Sequence, residues 1–141
     1  FGLAGLRVGW AYCPKKIAEK LDILKVPFSV NTAAQMAAIS ALEDDDHINF
    51  SVEHNSKWKK ILRDCFAEVG LIVYPSQCNF ILVEFLESSK FSAKEAYHLL
   101  SSKGIIVREM EEYNLPNCLR ITIGKEEANL LLIETVNAFK K

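Results

Sequence analysis

Three arginines stand where their surroundings could put a guanidinium to chemical use. Arg7 follows Phe1-Gly2-Leu3-Ala4-Gly5-Leu6, a turn with two glycines, and precedes Val8-Gly9-Trp10-Ala11-Tyr12. Glycine lets backbone N–H groups come close to an anion, and arginine adds a planar fork of donors, so this stretch could grip a phosphate. It could equally be a tight turn with a surface arginine before a strand. Arg120 lies within Cys118-Leu119-Arg120-Ile121-Thr122-Ile123, a segment that reads as a strand. Strand alternation puts it on one face with Cys118 and Thr122, opposite Leu119, Ile121 and Ile123. An arginine in such company must reach solvent, pair with an acid or hold an anionic ligand. Arg108 ends Ile105-Ile106-Val107 and leads into a loop carrying Glu109, Glu111 and Glu112. Without other information it is a solvated arginine at a strand end.

Other chemistry finds less support. His47, His54 and His98 fall on expected helices among polar neighbours, as surface histidines do, with no nucleophile or acid placed beside them. The acidic run Glu43-Asp44-Asp45-Asp46 lacks a glycine turn and calcium-loop spacing, so it reads as a solvated helix end and not a metal site. Cys13, Cys65, Cys78 and Cys118 form no Cys-x-x-Cys pair and sit within or beside apolar stretches, which fits small core residues in a reducing compartment.

The elements that must position these arginines follow from periodicity. Val8–Tyr12 reads as a short buried strand. Pro14 can open a helix carrying Ile17, Ala18, Leu21 and Leu24, which Pro27 ends, and 26–31 is then expected to run extended. Asn31 or Thr32 can cap a helix over Ala33–Leu42. A long helix from Asp46 carries Trp58, Ile61, Leu62, Cys65, Phe66 and Val69 as one apolar stripe and stops at Gly70. Strands are expected over 79–85, 105–107 and 119–123. Ser92-x-x-Glu95 is a capping box for a helix that carries Ala96, Leu99 and Leu100 inward and ends at Gly104. A last helix presents Ala128, Leu131, Leu132, Val136 and Phe139 on one face. The fold class is therefore α/β, closing in a small α+β lobe: a three-stranded sheet with helices packed on one face.

The 141 residues are half hydrophobic and a quarter charged, with a formal net charge of −1. That balance suits a globular domain with a real core and speaks against nucleic-acid or polybasic membrane partners. No apolar run has the length of a membrane span. Phe1 is not an initiator residue, and the expectation is a fragment of a longer protein.

Phe1 to Arg7, with Val8-Gly9-Trp10, resembles the segment that follows the Schiff-base lysine in fold-type I aminotransferases, and the histidinol-phosphate aminotransferase family in particular. There the motif opens Ser-Lys-x before the Phe, so the lysine would lie two residues upstream of Phe1, and this chain alone is expected to be inactive. The resemblance implies that Arg7 binds the phosphate of pyridoxal phosphate. Asn117 to Gly124 is similar to the family's carboxylate-binding strand, which implies that Arg120 forks onto the carboxylate of glutamate or 2-oxoglutarate. An arginine after Gly-Ile-x-Val, here Arg108, would hold the distal end of the substrate, including the phosphate of histidinol phosphate. The chain departs from the pattern at Glu109, where Pro is frequent, and at Asn114, where Gly is. Asn tolerates the left-handed backbone, whereas the three glutamates oppose a phosphate.

On this likeness residues 1–30 end a large cofactor domain, and 31–141 form linking helices and the small domain. The implied protein is a cytoplasmic homodimer acting in histidine biosynthesis on a small-molecule amino donor and a 2-oxo acid, with its catalytic lysine, ring-nitrogen Asp and stacking aromatic all upstream. An aromatic or other amino-acid aminotransferase stays open, as does a non-enzymatic α+β module that keeps the lobe.

Overall fold

The computed structural model describes residues 1–138, which fall into two units, one from Phe1 to Ser51 and the other from Val52 onward. Phe139, expected on the last helix, lies outside the described residues.

The first unit holds a single 3-10 turn at Ala4–Leu6, helix α1 (Lys15–Leu24), helix α2 (Thr32–Leu42) and the start of α3 (Asp45–Glu68). The strand expected over 8–12 does not form. A strand needs a neighbour for its backbone groups, and among the described residues this segment has no ladder partner. The stripe on α1 does form but stays uncovered, with Ile17, Leu21 and Leu24 all exposed. The stretch after α1 turns where an extended run was expected: Pro27 begins a turn whose next residue, Phe28, has φ 57°. Proline's fixed φ suits the first central position of such a turn, which needs positive φ at the second. Asn31 caps α2 by accepting from the Ala34 N–H at 2.9 Å. Glu43 caps the end of α2, and the Asp44 carboxylate accepts from the His47 N–H at 2.9 Å, so the acidic run joins a helix end to the start of α3. That helix begins at Asp45, one residue before the expected Asp46.

In the second unit, α3 leads to β1 (Ile72–Tyr74), β2 (Phe80–Glu84), α4 (Ala93–Ser102), β3 (Arg108–Glu109), β4 (Cys118–Thr122) and α5 (Glu126–Asn137). The sheet has four strands in the order β1-β2-β4-β3, and each neighbouring pair is antiparallel. This corrects the three-stranded expectation twice. The three-residue β1 is too short to show a period, and Pro75 follows it closely. The apolar run 105–107 is not a strand, because the Ile105 N–H bonds the Leu100 carbonyl at 2.9 Å and pairing with β4 begins only at Arg108. Val107 still reaches the core, while Ile106 points to solvent.

That core joins Leu62, Cys65 and Phe66 of α3, Ala96 and Leu100 of α4, and Leu132 and Val136 of α5 to Ile81, Val83, Leu119 and Ile121 of the sheet. Burying such a side chain contributes about 1.5–3 kcal/mol. The capping box at Ser92 is complete, with the Glu95 N–H on Ser92 Oγ and the Ser92 N–H on the Glu95 carboxylate. Gly104 and Gly70 end α4 and α3 at φ 77° and 82°, a conformation that glycine adopts without a Cβ penalty. On α5 the buried face is Asn129, Leu132, Thr135 and Val136, whereas Ala128 and Leu131 are exposed. The helix is turned from its apolar pattern because the Asn129 amide is bonded inward, to Gly124. No helix among the described residues is long and apolar enough to cross a membrane.

Candidate functional site

The sheet register lays one row of side chains across the strands. Tyr74 stands opposite Leu82, Leu82 opposite Arg120, and Arg120 opposite Arg108. Cross-strand partners share a face, and alternate residues of the same strands fill the core under the helices. The row therefore lies on the face turned away from the helices, with Phe80 opposite Thr122 and Glu84 opposite Cys118 on either side of it. Arg120 and Arg108 are brought together on that face.

Arg120 is half-buried, and its guanidinium carbon lies 5.1 Å from the Phe80 ring centre. The ring supports one face of the guanidinium, a cation–π arrangement that also limits its swing. Arg120 Nε is buried with no hydrogen-bond partner among the described residues. A buried donor left unpaired costs free energy that an incoming oxygen would recover. The acid on the same face is already engaged: Glu84 accepts from the Tyr74 hydroxyl at 2.6 Å. That bond, with the carboxylate's charge behind it, pushes the Tyr74 phenol above its ordinary range. Burial, and then Glu84, push the Cys118 thiol up as well, so it stays a neutral lining group.

Arg108 is more exposed. Its Nη2 donates to Glu112 Oε2 at 3.3 Å, and its guanidinium carbon lies 5.4 Å from the Tyr113 ring centre. Glu112 and Tyr113 belong to a single 3-10 turn, Glu111–Tyr113, closed by Asn114 at φ 58°. Asn114 thus supplies the left-handed residue that the loop requires, and its N–H bonds the Glu111 carbonyl at 3.0 Å. A hollow of about 270 Å³ beside it is lined by Arg108, Glu109, Glu111 and Glu112.

The far end of β4 is fixed by buried polar contacts. The Asn129 amide donates to the Gly124 carbonyl at 2.8 Å and accepts from its N–H at 2.9 Å. A Cβ on Gly124 would come within 3.2 Å of Ala128 Cβ. His54 Nε2 lies 2.9 Å from the same carbonyl. Since a carbonyl can only accept, Nε2 carries the hydrogen. His54 is therefore a part-buried tie between α3 and β4 and not the surface histidine expected, because its turn of α3 faces the strand end. His47 and His98 are exposed.

Arg7 belongs to the first unit. Its backbone is left-handed at φ 60°, and its Nη1 donates to the Ala4 carbonyl at 2.9 Å. A neutral carbonyl leaves the positive charge uncompensated, and no ion pair to Arg7 forms among the described residues. Gly2 has φ 68°, and a Cβ at Gly2 or Gly5 would meet nothing within 4 Å, so the turn is open around its backbone. An exposed guanidinium on an open glycine turn fits the phosphate end of a cofactor such as pyridoxal phosphate.

The sequence places Glu112 among the acids near Arg108, but it does not show Phe80 beside Arg120 or Tyr113 beside Arg108. Alternation could have put Phe80 and Glu84 on one face, but only the register of β2 on β4 shows that this is the face of Arg120.

The family described as aminotransferase class I and II matches residues 1–136. A histidinol-phosphate aminotransferase of Maricaulis maris (strain MCS10) is 44% identical over 140 residues, covering 99% of this chain and 39% of the relative. The chain thus spans about two fifths of that relative's length. The crystal structure of the histidinol-phosphate aminotransferase from Clostridium acetobutylicum superposes with a TM-score of 0.73 at 25% identity, over 89% of this chain and 38% of the other. That of L-threonine-O-3-phosphate decarboxylase from Porphyromonas gingivalis gives 0.72 at 23% identity, over 99% and 43%. The last likeness shows the fold alone, and it warns that the fold does not choose the reaction.

Proposed function

Because the chain belongs to the aminotransferase class I and II family, we propose that the protein carrying it is a pyridoxal-phosphate-dependent enzyme that moves an amino group from histidinol phosphate to 2-oxoglutarate. The observation that carries this reading is the pairing of Arg108 with Arg120 on the sheet face turned away from α3, α4 and α5. A site serving both half-reactions needs one guanidinium near the reacting carbon and positive charge further out. In this reading Arg120, steadied by Phe80 and with Nε unpaired, takes the carboxylate of glutamate or 2-oxoglutarate. Arg108, at the sheet edge, takes the distal group. Arg7 takes the cofactor phosphate, and the bound cofactor supplies the electron sink. Residues 1–30 then close a large domain and 31–141 make up the connecting helices and small domain. The four free cysteines support a cytoplasmic setting, and the family likeness supports a homodimer.

A second reading has its own observation. The hollow at Arg108 holds three glutamates, which favours an unphosphorylated aromatic amino acid as donor. Initial rates of amino transfer to 2-oxoglutarate from histidinol phosphate and from phenylalanine decide between them. A higher kcat/KM for histidinol phosphate is the expected result. A preference for phenylalanine would establish the second reading, and transfer from neither would overturn both and leave another amino-acid donor or a non-enzymatic lobe.

A further inference from the structure

We infer that Glu112 sets the substrate preference of this site by acting as a resident counter-anion for Arg108, so that a distal group must displace it to bind. The inference rests on the proposed roles of Arg108 and Arg120, and it concerns what guards the outer arginine.

The two arginines are neighbours in the row, yet the loop treats them differently. Arg120 makes no ion pair among the described residues, while Arg108 is held by Glu112 through Nη2 at 3.3 Å. That length is beyond the usual 2.7–2.9 Å or so of a charge-assisted N–H···O bond, so the pair is loose. Glu112 is 80% exposed in its side chain against 45% for Arg108, which places the contact in the weak class of solvent-screened pairs. Such a pair can be broken by a stronger anion but competes with a weak one.

The loop geometry makes the competition specific. The Tyr113 ring centre lies 5.4 Å from the guanidinium carbon. Because guanidinium donors lie in its plane, an anion meets Arg108 along its edge, part of which Glu112 occupies. Both residues are delivered by the same 3-10 turn, which the left-handed Asn114 closes and the buried Met110 anchors through its carbonyl, bonded by the N–H groups of Tyr113 and Leu115 at 3.0 and 3.2 Å. Glu109 also lines the hollow, but it stands opposite Leu119, one position along the strand from Arg108 and so on the other face. A monoester phosphate dianion carries enough charge to replace the Glu112 carboxylate. A neutral or aromatic group leaves the pair closed.

The test compares wild-type protein with E112Q, E109Q and R108Q, using two readouts. The first is the ratio of KM for histidinol phosphate to KM for phenylalanine. The second is the concentration of inorganic phosphate that half-protects Arg108 from phenylglyoxal, followed by peptide mass spectrometry in wild type, E112Q and E109Q; it does not depend on amino transfer. In E112Q both the KM ratio and the half-protecting concentration should fall about two- to fivefold, the range an exposed ion pair supports. E109Q should change either by less than E112Q does, and R108Q should raise the KM ratio. Unchanged values in E112Q, or equal changes in E112Q and E109Q, would overturn the inference while leaving the aminotransferase reading in place. If the protein transfers no amino group but half-protection still shifts in E112Q, the counter-anion role stands and the reading of function falls.

Discussion

Arg108 and Arg120 are direct cross-strand partners in the β3–β4 ladder. Their Cβ atoms are therefore about 4.5–5.5 Å apart by the geometry of antiparallel pairs, where like charges are destabilising. The fold accepts this by stacking each guanidinium on its own ring, Phe80 under Arg120 and Tyr113 under Arg108, and by setting Glu112 on the outer one. Positive charge held in place without full compensation is what an anion site requires.

Folding stability should therefore depend on anions. Inorganic phosphate is expected to raise the unfolding midpoint of wild type, by about 1.4 kcal/mol of stability at ten times its Kd. Arg108→Gln should have a stability equal to or above wild type without phosphate and should gain less when phosphate is added. Thermal melts at constant ionic strength measure this. Equal gains in both proteins would remove Arg108 from the anion site.

Asn129 shows how a polar residue can hold a core face. It is 1% exposed and spends both ends of its amide on Gly124. Asn129→Ala removes both bonds and leaves the part-buried Gly124 N–H without its partner, which costs on the order of 1 kcal/mol. The urea midpoint should fall accordingly with an unchanged m-value. A loss of a few tenths would mean that the strand end is held by His54 alone.

Much of this was readable from residue order, and the exceptions share a cause. Local signals worked where one residue decides local geometry: Ser92 and Glu95 as a box, Gly70 and Gly104 as stops, Asn114 as a left-handed turn residue. The face of Arg120 also followed, because alternation is a property of one strand. What stayed hidden depends on distant partners. The segment 105–107 looks more strand-like than Arg108–Glu109, yet the ladder to β4 begins at Arg108. Asn129 and His54 look like surface residues until Gly124, several residues or a whole sheet away, claims them. The pairing of Arg108 with Arg120 has the same character, since nothing local to either arginine announces the other.

The capping box carries a pH signature. The Glu95 carboxyl is held below its usual value, first by the Ser92 backbone N–H and then by the Ser92 hydroxyl. A carboxyl whose folded pKa is depressed contributes stability that is present above its unfolded value, about 4.3, and is lost as pH falls through the folded one. Ser92→Ala keeps the backbone donor but loses the hydroxyl, both as cap and as donor to Glu95. The variant should be less stable than wild type at pH 7, with a gap that narrows toward pH 3. Paired denaturant titrations at the two pH values test this, and a gap independent of pH would assign the whole effect to the cap.

The strongest discrimination is between the two arginines, measured in the protein carrying this chain. Histidinol phosphate has an alcohol where glutamate has its α-carboxylate, so under the proposed function the inner guanidinium would have a bidentate partner in only one half-reaction. Arg120→Lys keeps the charge but loses the planar fork and its stack on Phe80. It should slow the glutamate half-reaction more than the histidinol-phosphate one, by roughly tenfold or more, since hydrogen bonds to charged groups contribute about 1.5–3 kcal/mol. Arg108→Ala should do the reverse, weakening the phosphorylated substrate by an amount that shrinks as salt rises, because Arg108 is partly exposed and screened. Single-turnover measurements separate the half-reactions. Equal losses in both for both variants would mean that the register partners act as one site for a single anion, and the inner and outer roles would have to be abandoned.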